Sequence, residues 1–214
     1  MRTITALKAQ KRPRGRVNVF LNGAFAFSLG AEVVEEVGLG VGQALSLSQI
    51  EELTGSDLFR RCHQIALHYL SYRPRSQWEV RQRLRRHGFE DEIVDGVLSK
   101  LRQQGQVDDT VFARIWRRDR EAFSPRGRRL LEFELRRRGV AAEIVDEVTS
   151  GLDDDASAYQ AAQRKLGTWA KLDYQGFRRR MVAYLQRRGF DYGVINRTVA
   201  RLWQEREVDP AAHH

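Results

Sequence analysis

At 214 residues, 42% of them hydrophobic, the chain can form one large domain or several small units with packed cores. It lacks any apolar run near the roughly 18 to 20 residues that span a bilayer. Thirty-seven basic residues against twenty-eight acidic ones give a net charge of +9, and only five of the basic residues are lysine. Guanidinium groups grip phosphates and carboxylates through paired hydrogen bonds, so the composition suits nucleic acid or an acidic protein groove, not a membrane. A GC-rich codon preference accounts for part of the arginine excess, but not for where the arginines sit. The single cysteine, Cys62, excludes an internal disulfide, and Met1-Arg2-Thr3-Ile4 leads into no signal-like apolar segment, so a cytoplasmic location is expected.

Residues 1–47 read as a small β-hairpin extension and linker. Val17–Leu21 and Ala24–Leu29 flank Asn22-Gly23, a pair that tolerates positive φ at both turn positions and so favours a tight hairpin. Arg2 to Lys8 can add a third strand, followed by a basic loop from Lys8 to Arg16. So short a sheet needs something to pack on. Gly38-Leu39-Gly40-Val41-Gly42 lacks the Lys-Ser or Lys-Thr of a phosphate loop and is expected to be a flexible connector.

From Ser48 the chain turns helical and repeats itself. Gly88, Gly139 and Gly189 are anchors, each preceded by four residues by Leu84, Leu135 or Leu185, and by eight by Val80, Leu131 or Met181. Phe89, Val140 and Phe190 follow directly, then Ile93, Ile144 and Val194, then Leu101, Leu152 and Leu202. Apolar spacings of four before each glycine predict one buried helical face, and the glycine supplies the left-handed residue that ends the helix. A further helix follows, and a third precedes each pair at Leu58–Leu70, Thr110–Phe123 and Ala156–Leu166. The expected fold is mainly α: three tandem three-helix repeats (48–105, 106–152, 153–207) forming an elongated, curved solenoid, with the hairpin extension in front and a disordered tail at 208–214.

Arginine concentrates on the second helix of each repeat and acid on the third. Pro74 and Pro125 stand near second-helix starts. Asp108-Asp109 and Asp153-Asp154-Asp155 stand where the next repeat begins, as caps rather than metal ligands. The candidate contact residues for a partner or DNA are Arg73, Arg75, Arg81 and Arg85 in the first repeat and Arg117, Arg118, Arg120, Arg126, Arg128, Arg129, Arg136 and Arg137 in the second. Arg179 and Arg187 complete the set in the third. Those just before the glycines also suit the negative end of a helix; those near helix starts face an unfavourable dipole, so a ligand is the better explanation for Arg73, Arg75, Arg126, Arg128 and Arg129. The middle repeat is the expected contact centre.

No catalytic constellation emerges, so a non-enzymatic binding protein without cofactor or metal is expected. Cys62 lies in a helical segment that faces core. His63 and His68 are badly spaced for one helical face and lack zinc-ligand partners. Glu132 and Glu134 point to different sides of a helix. Trp78, Trp116, Trp169 and Trp203 read as inter-helix core rather than platforms for stacking bases.

The wording resembles the bacterial RecX family. Arg73-Pro74-Arg75-Ser76-Gln77-Trp78-Glu79-Val80, with Leu84 and Gly88-Phe89, resembles the family's first-unit helix. Gly105-Gln106-Val107-Asp108-Asp109-Thr110-Val111-Phe112-Ala113 resembles its most recognisable stretch; Gly127 to Gly139 and Tyr184 to Phe190 resemble its middle and third units. Trp78 stands where Arg or an acidic residue is usual, and Val80 where Leu is usual. The resemblance implies a monomeric negative regulator of the RecA recombinase. It would lie in the groove of the RecA filament on single-stranded DNA, touching that DNA weakly or through the filament. It would suppress ATP hydrolysis and strand exchange, within DNA repair, recombination and the SOS response. The rival reading is a helical-repeat protein that binds DNA directly, since basic second helices can imitate helix-turn-helix modules. A third, a magnesium-dependent nuclease using Asp108 and Asp109, has less behind it.

Overall fold

A computed structural model describes residues 1–12 and 15–208. Pro13 and Arg14 of the basic loop, and residues 209–214 of the expected tail, lie outside the described residues. Contacts divide the chain into two compact units: Met1–Arg73 with Val80–Gln103, and Pro74–Glu79 with everything from Gln104 onward.

The first unit opens with four strands, β1 (Arg2–Ala9), β2 (Arg16–Leu21), β3 (Ala24–Gly30) and β4 (Ala44–Leu45), in an antiparallel sheet of order β3-β2-β1-β4. Asn22 and Gly23 take φ of 51° and 86°, the turn expected for this pair. Two elements escaped the sequence reading. Helix α1 (Ala31–Val37) follows β3 directly, and β4 adds to the far edge of β1. The glycine run between them is a built connection rather than a loose one. Gly38 ends α1 with φ of 66°, Leu39 is buried, and Gly42 donates its N–H to Ile4 while Ile4 donates to Gln43. Glycine is required there because φ turns positive at both Gly38 and Gly42.

What the sheet packs on is α2 (Leu47–Leu70), which starts within one residue of Ser48, where the helical reading begins, and runs unbroken through the expected segment Leu58–Leu70. Ser46 accepts from the N–H of Gln49, whose side chain reaches back to the Ser46 N–H, so the helix start is capped in both directions. Leu53 and Ile50 in its first half join Ile4, Val19, Leu21, Leu29, Val33, Leu39 and Leu45 in one apolar core. A buried ion pair reinforces this contact. Asp57 on α2 accepts from Arg16 at 3.0 Å and from the Gly30 N–H at 2.6 Å, joining β2 and the start of α1 to the long helix. The second half of α2 packs on α4 (Asp91–Gln103), close enough that a Cβ at Gly96 would sit 3.2 Å from the Phe59 ring.

Helices α3 (Gln77–Arg86), α6 (Arg128–Arg136) and α9 (Tyr174–Gln186) are the second members of the three repeats. Each stops the same way. Gly88, Gly139 and Gly189 have φ of 81°, 73° and 82°, and the N–H after each glycine bonds back to Leu84, Leu135 or Leu185. The apolar residue after each glycine is buried, which completes the Schellman stop. All the repeat's anchor leucines are buried; the positions at Ile93 and Ile144 are only half-buried. The second unit continues with α5 (Asp109–Phe123), α7 (Ala142–Thr149), α8 (Asp154–Leu166) and α10 (Tyr192–Val208). Thus α10 takes in the first residue assigned to the tail.

Within the second unit, repeats are stitched at their second helices. Ser76 Oγ donates to the Arg138 carbonyl at 2.6 Å, and one repeat later the Gly127 N–H donates to the Arg188 carbonyl at 2.9 Å. The acidic pairs divide their labour. Asp108 and Asp153 cap α5 and α8, as expected, whereas Asp109 and Asp154 reach back to the N–H of Gln77 and Arg128, at the starts of α3 and α6. Burial pushes both of these carboxyls above the usual carboxylate range, although the N–H bonds pull the other way. At α9 the cap is Asp173, beside its own helix.

The stitch leaves no room for a side chain at Gly127, whose Cβ would meet the backbone of Gly189 well inside van der Waals contact. Gly127→Ala is therefore expected to destabilise the second unit by about 1–3 kcal/mol. Gly151→Ala, where a Cβ meets nothing within 4 Å, is expected to change stability little. Urea denaturation of both variants, followed by circular dichroism, checks the pair.

Candidate functional site

The acids on the third helices turn out to be partners for the arginines on the second. Arg81 pairs with Asp95, Arg85 binds Asp91 through two bonds of 2.7 and 2.9 Å, and Arg136 reaches Asp146 at 3.4 Å. Arg114 on α5 pairs with Glu147 on α7. The separation of charge in the sequence is thus partly undone in space. These pairs are exposed, so each adds little stability. Their effect is to neutralise groups that would otherwise attract a ligand.

The middle repeat holds its arginines more deeply, around one carboxylate. Glu134 on α6 is only 8% exposed, and its Oε2 accepts from Trp116 Nε1 at 2.8 Å and Arg120 Nε at 3.0 Å. Its other oxygen pairs with Arg126. Arg138 donates to the Glu134 carbonyl, and its guanidinium lies 3.7 Å from the centre of the Trp116 ring, with that of Arg120 at 4.1 Å. Arg188 closes the group by donating to the Ser124 hydroxyl and the Pro125 carbonyl, beside Arg126. Burial, then the charges of Arg120, Arg188 and Arg138, hold Arg126 below its ordinary value, and burial does the same to Arg120. Both stay charged at any physiological pH.

Arg128 has a role the helix dipole could not reveal. Its guanidinium donates to the carbonyls of Ser150 and Leu152, just past the end of α7, where cation and exposed carbonyls attract. Arg117 likewise donates to Glu121 and to the Val148 carbonyl. Arg126 and Arg128, expected as ligand contacts, thus also have partners within the chain. Arg73 and Arg75 are half-buried and not free.

The remaining candidates stand apart. Arg118, Arg129, Arg137, Arg179 and Arg187 are exposed, and their side chains have no hydrogen bond or ion pair among the described residues. Arg86 and Arg180 share this condition. Arg86, Arg137 and Arg187 occupy one register, two residues before the glycines at 88, 139 and 189; Trp78, Arg129 and Arg179 occupy another, ten before. Spacing alone contained this distinction, once the pairing acids are subtracted.

Of the tryptophans, Trp116, Trp169 and Trp203 do pack against cores. Trp78 does not: it is 44% exposed, because its neighbours in the fold are the bare backbone of Gly139 and an open groove. Phe133, on the same groove, is 59% exposed. Cys62 is fully buried, and burial pushes its thiol up to about 11, so it stays protonated and unreactive.

These features define a class: a tandem array of three-helix units, stitched through their second helices, with a small sheet in front and a repeating set of unpaired arginines. Family models for RecX match at residues 2–46 (the regulatory protein's N-terminal domain), 62–101, 108–148 and 153–199 (its first, second and third three-helix domains). A regulatory protein RecX of Lactobacillus johnsonii is 30% identical over 98% of this chain and 78% of its own length. One from Clostridium perfringens is 27% identical over 94% and 97%. A crystal structure of a regulatory protein RecX shares the fold, with a TM-score of 0.64 and 24% identity across 92% of this chain and 98% of that one. The chain belongs to the RecX family of regulatory proteins. Among the described residues, no helix is long and apolar enough to cross a membrane.

Removing Glu134 strands two guanidiniums in a partly buried site. Glu134→Ala is expected to cost about 3–5 kcal/mol of stability, the range for breaking a buried ion pair from one side. Arg137→Ala, which breaks no internal contact, is expected to stay within about 0.5 kcal/mol. Thermal melts of the two variants check the contrast.

Proposed function

We propose that this chain is a cytoplasmic, monomeric, negative regulator of the RecA recombinase that lies along the groove of the RecA filament on single-stranded DNA. There it impedes ATP hydrolysis and strand exchange. The observation that carries the reading is the recurrence of unpaired arginines at one register of every repeat: Arg86, Arg137 and Arg187, joined by Arg129 and Arg179. A protein that repeats its free charge at the same register of each sequence repeat suits a partner that repeats its own, as a filament of identical subunits on a phosphate backbone does. Family membership supplies the regulatory role, and this charge pattern supports the mode of contact. Arg118 extends the same contact from α5. Arg81, Arg85, Arg117, Arg120, Arg126, Arg128 and Arg136 shape and neutralise the scaffold behind it.

The test is RecA ATPase on single-stranded DNA, titrated with the protein at far fewer copies than recombinase. Wild-type protein is expected to inhibit, and Arg129→Ala, Arg137→Ala and Arg187→Ala combined to need about tenfold more protein for the same inhibition while melting normally. Tight binding to naked DNA with no effect on the ATPase sinks the reading and leaves a general DNA-binding repeat protein. Such a protein shows a steep salt dependence set by the number of phosphates neutralised.

A further inference from the structure

The groove beside Trp78 carries an inference that deepens the proposed function by naming which part of the filament is touched. It is lined by Trp78, Leu130, Phe133 and Arg137, with Glu79, Glu134 and Arg138 on its walls. All belong to the second compact unit. Trp78 and Phe133, 44% and 59% exposed, offer aromatic surface that no part of the described chain covers. Exposed rings on a soluble surface need a reason, since burying each would favour folding by about 1.5–3 kcal/mol.

The position of each ring is set by the backbone. A Cβ on Gly139 would collide with the Cβ, Cγ and Cδ1 of Trp78, so the root of the indole rests directly on the glycine. Phe133 lies one helical turn before Arg137, which puts ring and guanidinium on the same face of α6. The charges on the walls are engaged. Glu79 accepts from the Ser76 N–H, Glu134 is held by Trp116, Arg120 and Arg126, and Arg138 stacks on Trp116. Arg137 alone of the charged lining has no partner among the described residues.

Flat aromatic surface whose one unpaired charge is positive fits a ligand that alternates planar rings with negative charge. We propose that the Trp78–Phe133 groove binds the unpaired bases of single-stranded nucleic acid by stacking, with Arg137 and then Arg129 taking the adjoining phosphates. Every base presents a π-face, so such a groove is indifferent to sequence. It excludes duplex, whose bases are already stacked on each other. An acidic peptide would satisfy Arg137 but leave the rings without flat partners, and an apolar partner would bury Arg137 unpaired.

The experiment compares three labelled ligands at matched salt by fluorescence anisotropy: an oligothymidylate of about 15 nucleotides, its fully abasic counterpart, and a duplex of the same length. Wild-type protein is expected to prefer the oligothymidylate to the abasic strand by about tenfold or more. Trp78→Ala with Phe133→Ala is expected to remove that preference without weakening binding to the abasic strand, and Trp78→Phe to retain most of it. Arg137→Ala is expected to weaken both strands alike. Because alanine keeps the Cβ against Gly139, an unchanged melting curve certifies the fold of the double variant. Equal affinity of wild-type protein for the two strands overturns the inference. So does an equal loss on both in the double variant, or displacement by an acidic peptide at lower concentration than by oligothymidylate. RecA inhibition without any base preference removes this groove while leaving the regulator standing; base preference without RecA inhibition does the reverse.

Discussion

The helical part of the second unit depends on the close approach of the start of one second helix to the end of the next. The carbonyl one residue before each closing glycine, at Arg138 and Arg188, becomes an acceptor for the start of the preceding second helix. A helix end leaves carbonyls unsatisfied and a helix start leaves N–H groups unsatisfied. At Arg188 the carbonyl is satisfied by the Gly127 N–H and at Arg138 by the Ser76 hydroxyl, and the aspartate of the following repeat caps the next N–H of each helix start. This arrangement explains several residue types at once. Gly139 and Gly189 are needed for their own positive φ, Gly127 because it is touched by Gly189, and the second aspartate of each acidic pair because it faces another helix's start. Trp78 is exposed for the same reason: the stitch holds its root on glycine and leaves no side chain to cover its ring.

The abundance of arginine conceals two populations with opposite physics. One is internal. Arg120, Arg126 and Arg138 surround a single carboxylate and a tryptophan, Arg188 holds the Pro125 carbonyl beside them, and Arg128 and Arg164 satisfy carbonyls at helix ends. Guanidinium suits these places because its planar fork bonds two acceptors at once and can stack on a ring without losing its hydrogen bonds. The other population projects into solvent with nothing to neutralise it. Long-range attraction of an anionic partner arises from this second group, since a paired charge projects little field beyond its partner. A protein of +9 can therefore recognise through a handful of side chains while the rest hold its repeats together.

The sequence made the repeat, the closing glycines, the hairpin turn and the core positions that recur around those glycines legible, because each rests on local spacing or on a residue with unusual backbone freedom. The internal partners of Arg126 and Arg128 were not legible for the opposite reason: Glu134 and the end of α7 become their neighbours only through tertiary packing. Trp78 was assigned to the core because tryptophan usually is, and only the contact with Gly139 explains its exposure. The short helix α1 and the two-residue β4 carry too little periodicity to announce themselves. That the first half of α2 answers to the sheet rather than to the repeat was not legible, because its partners in the sheet are distant in sequence.

That long helix has a consequence for how the front of the molecule comes apart. Its first half lies in the core beneath the sheet and its second half in the first helical repeat, with Asp57 close to the changeover. A continuous helix couples the two, since fraying must proceed from an end and each lost turn exposes one core or the other. Amide protons of β1 and β2 should therefore exchange with solvent in the same cooperative opening as those of α2 and α4, as one foldon. The sheet is in that sense not an appendage but the part that sets the lifetime of the first repeat.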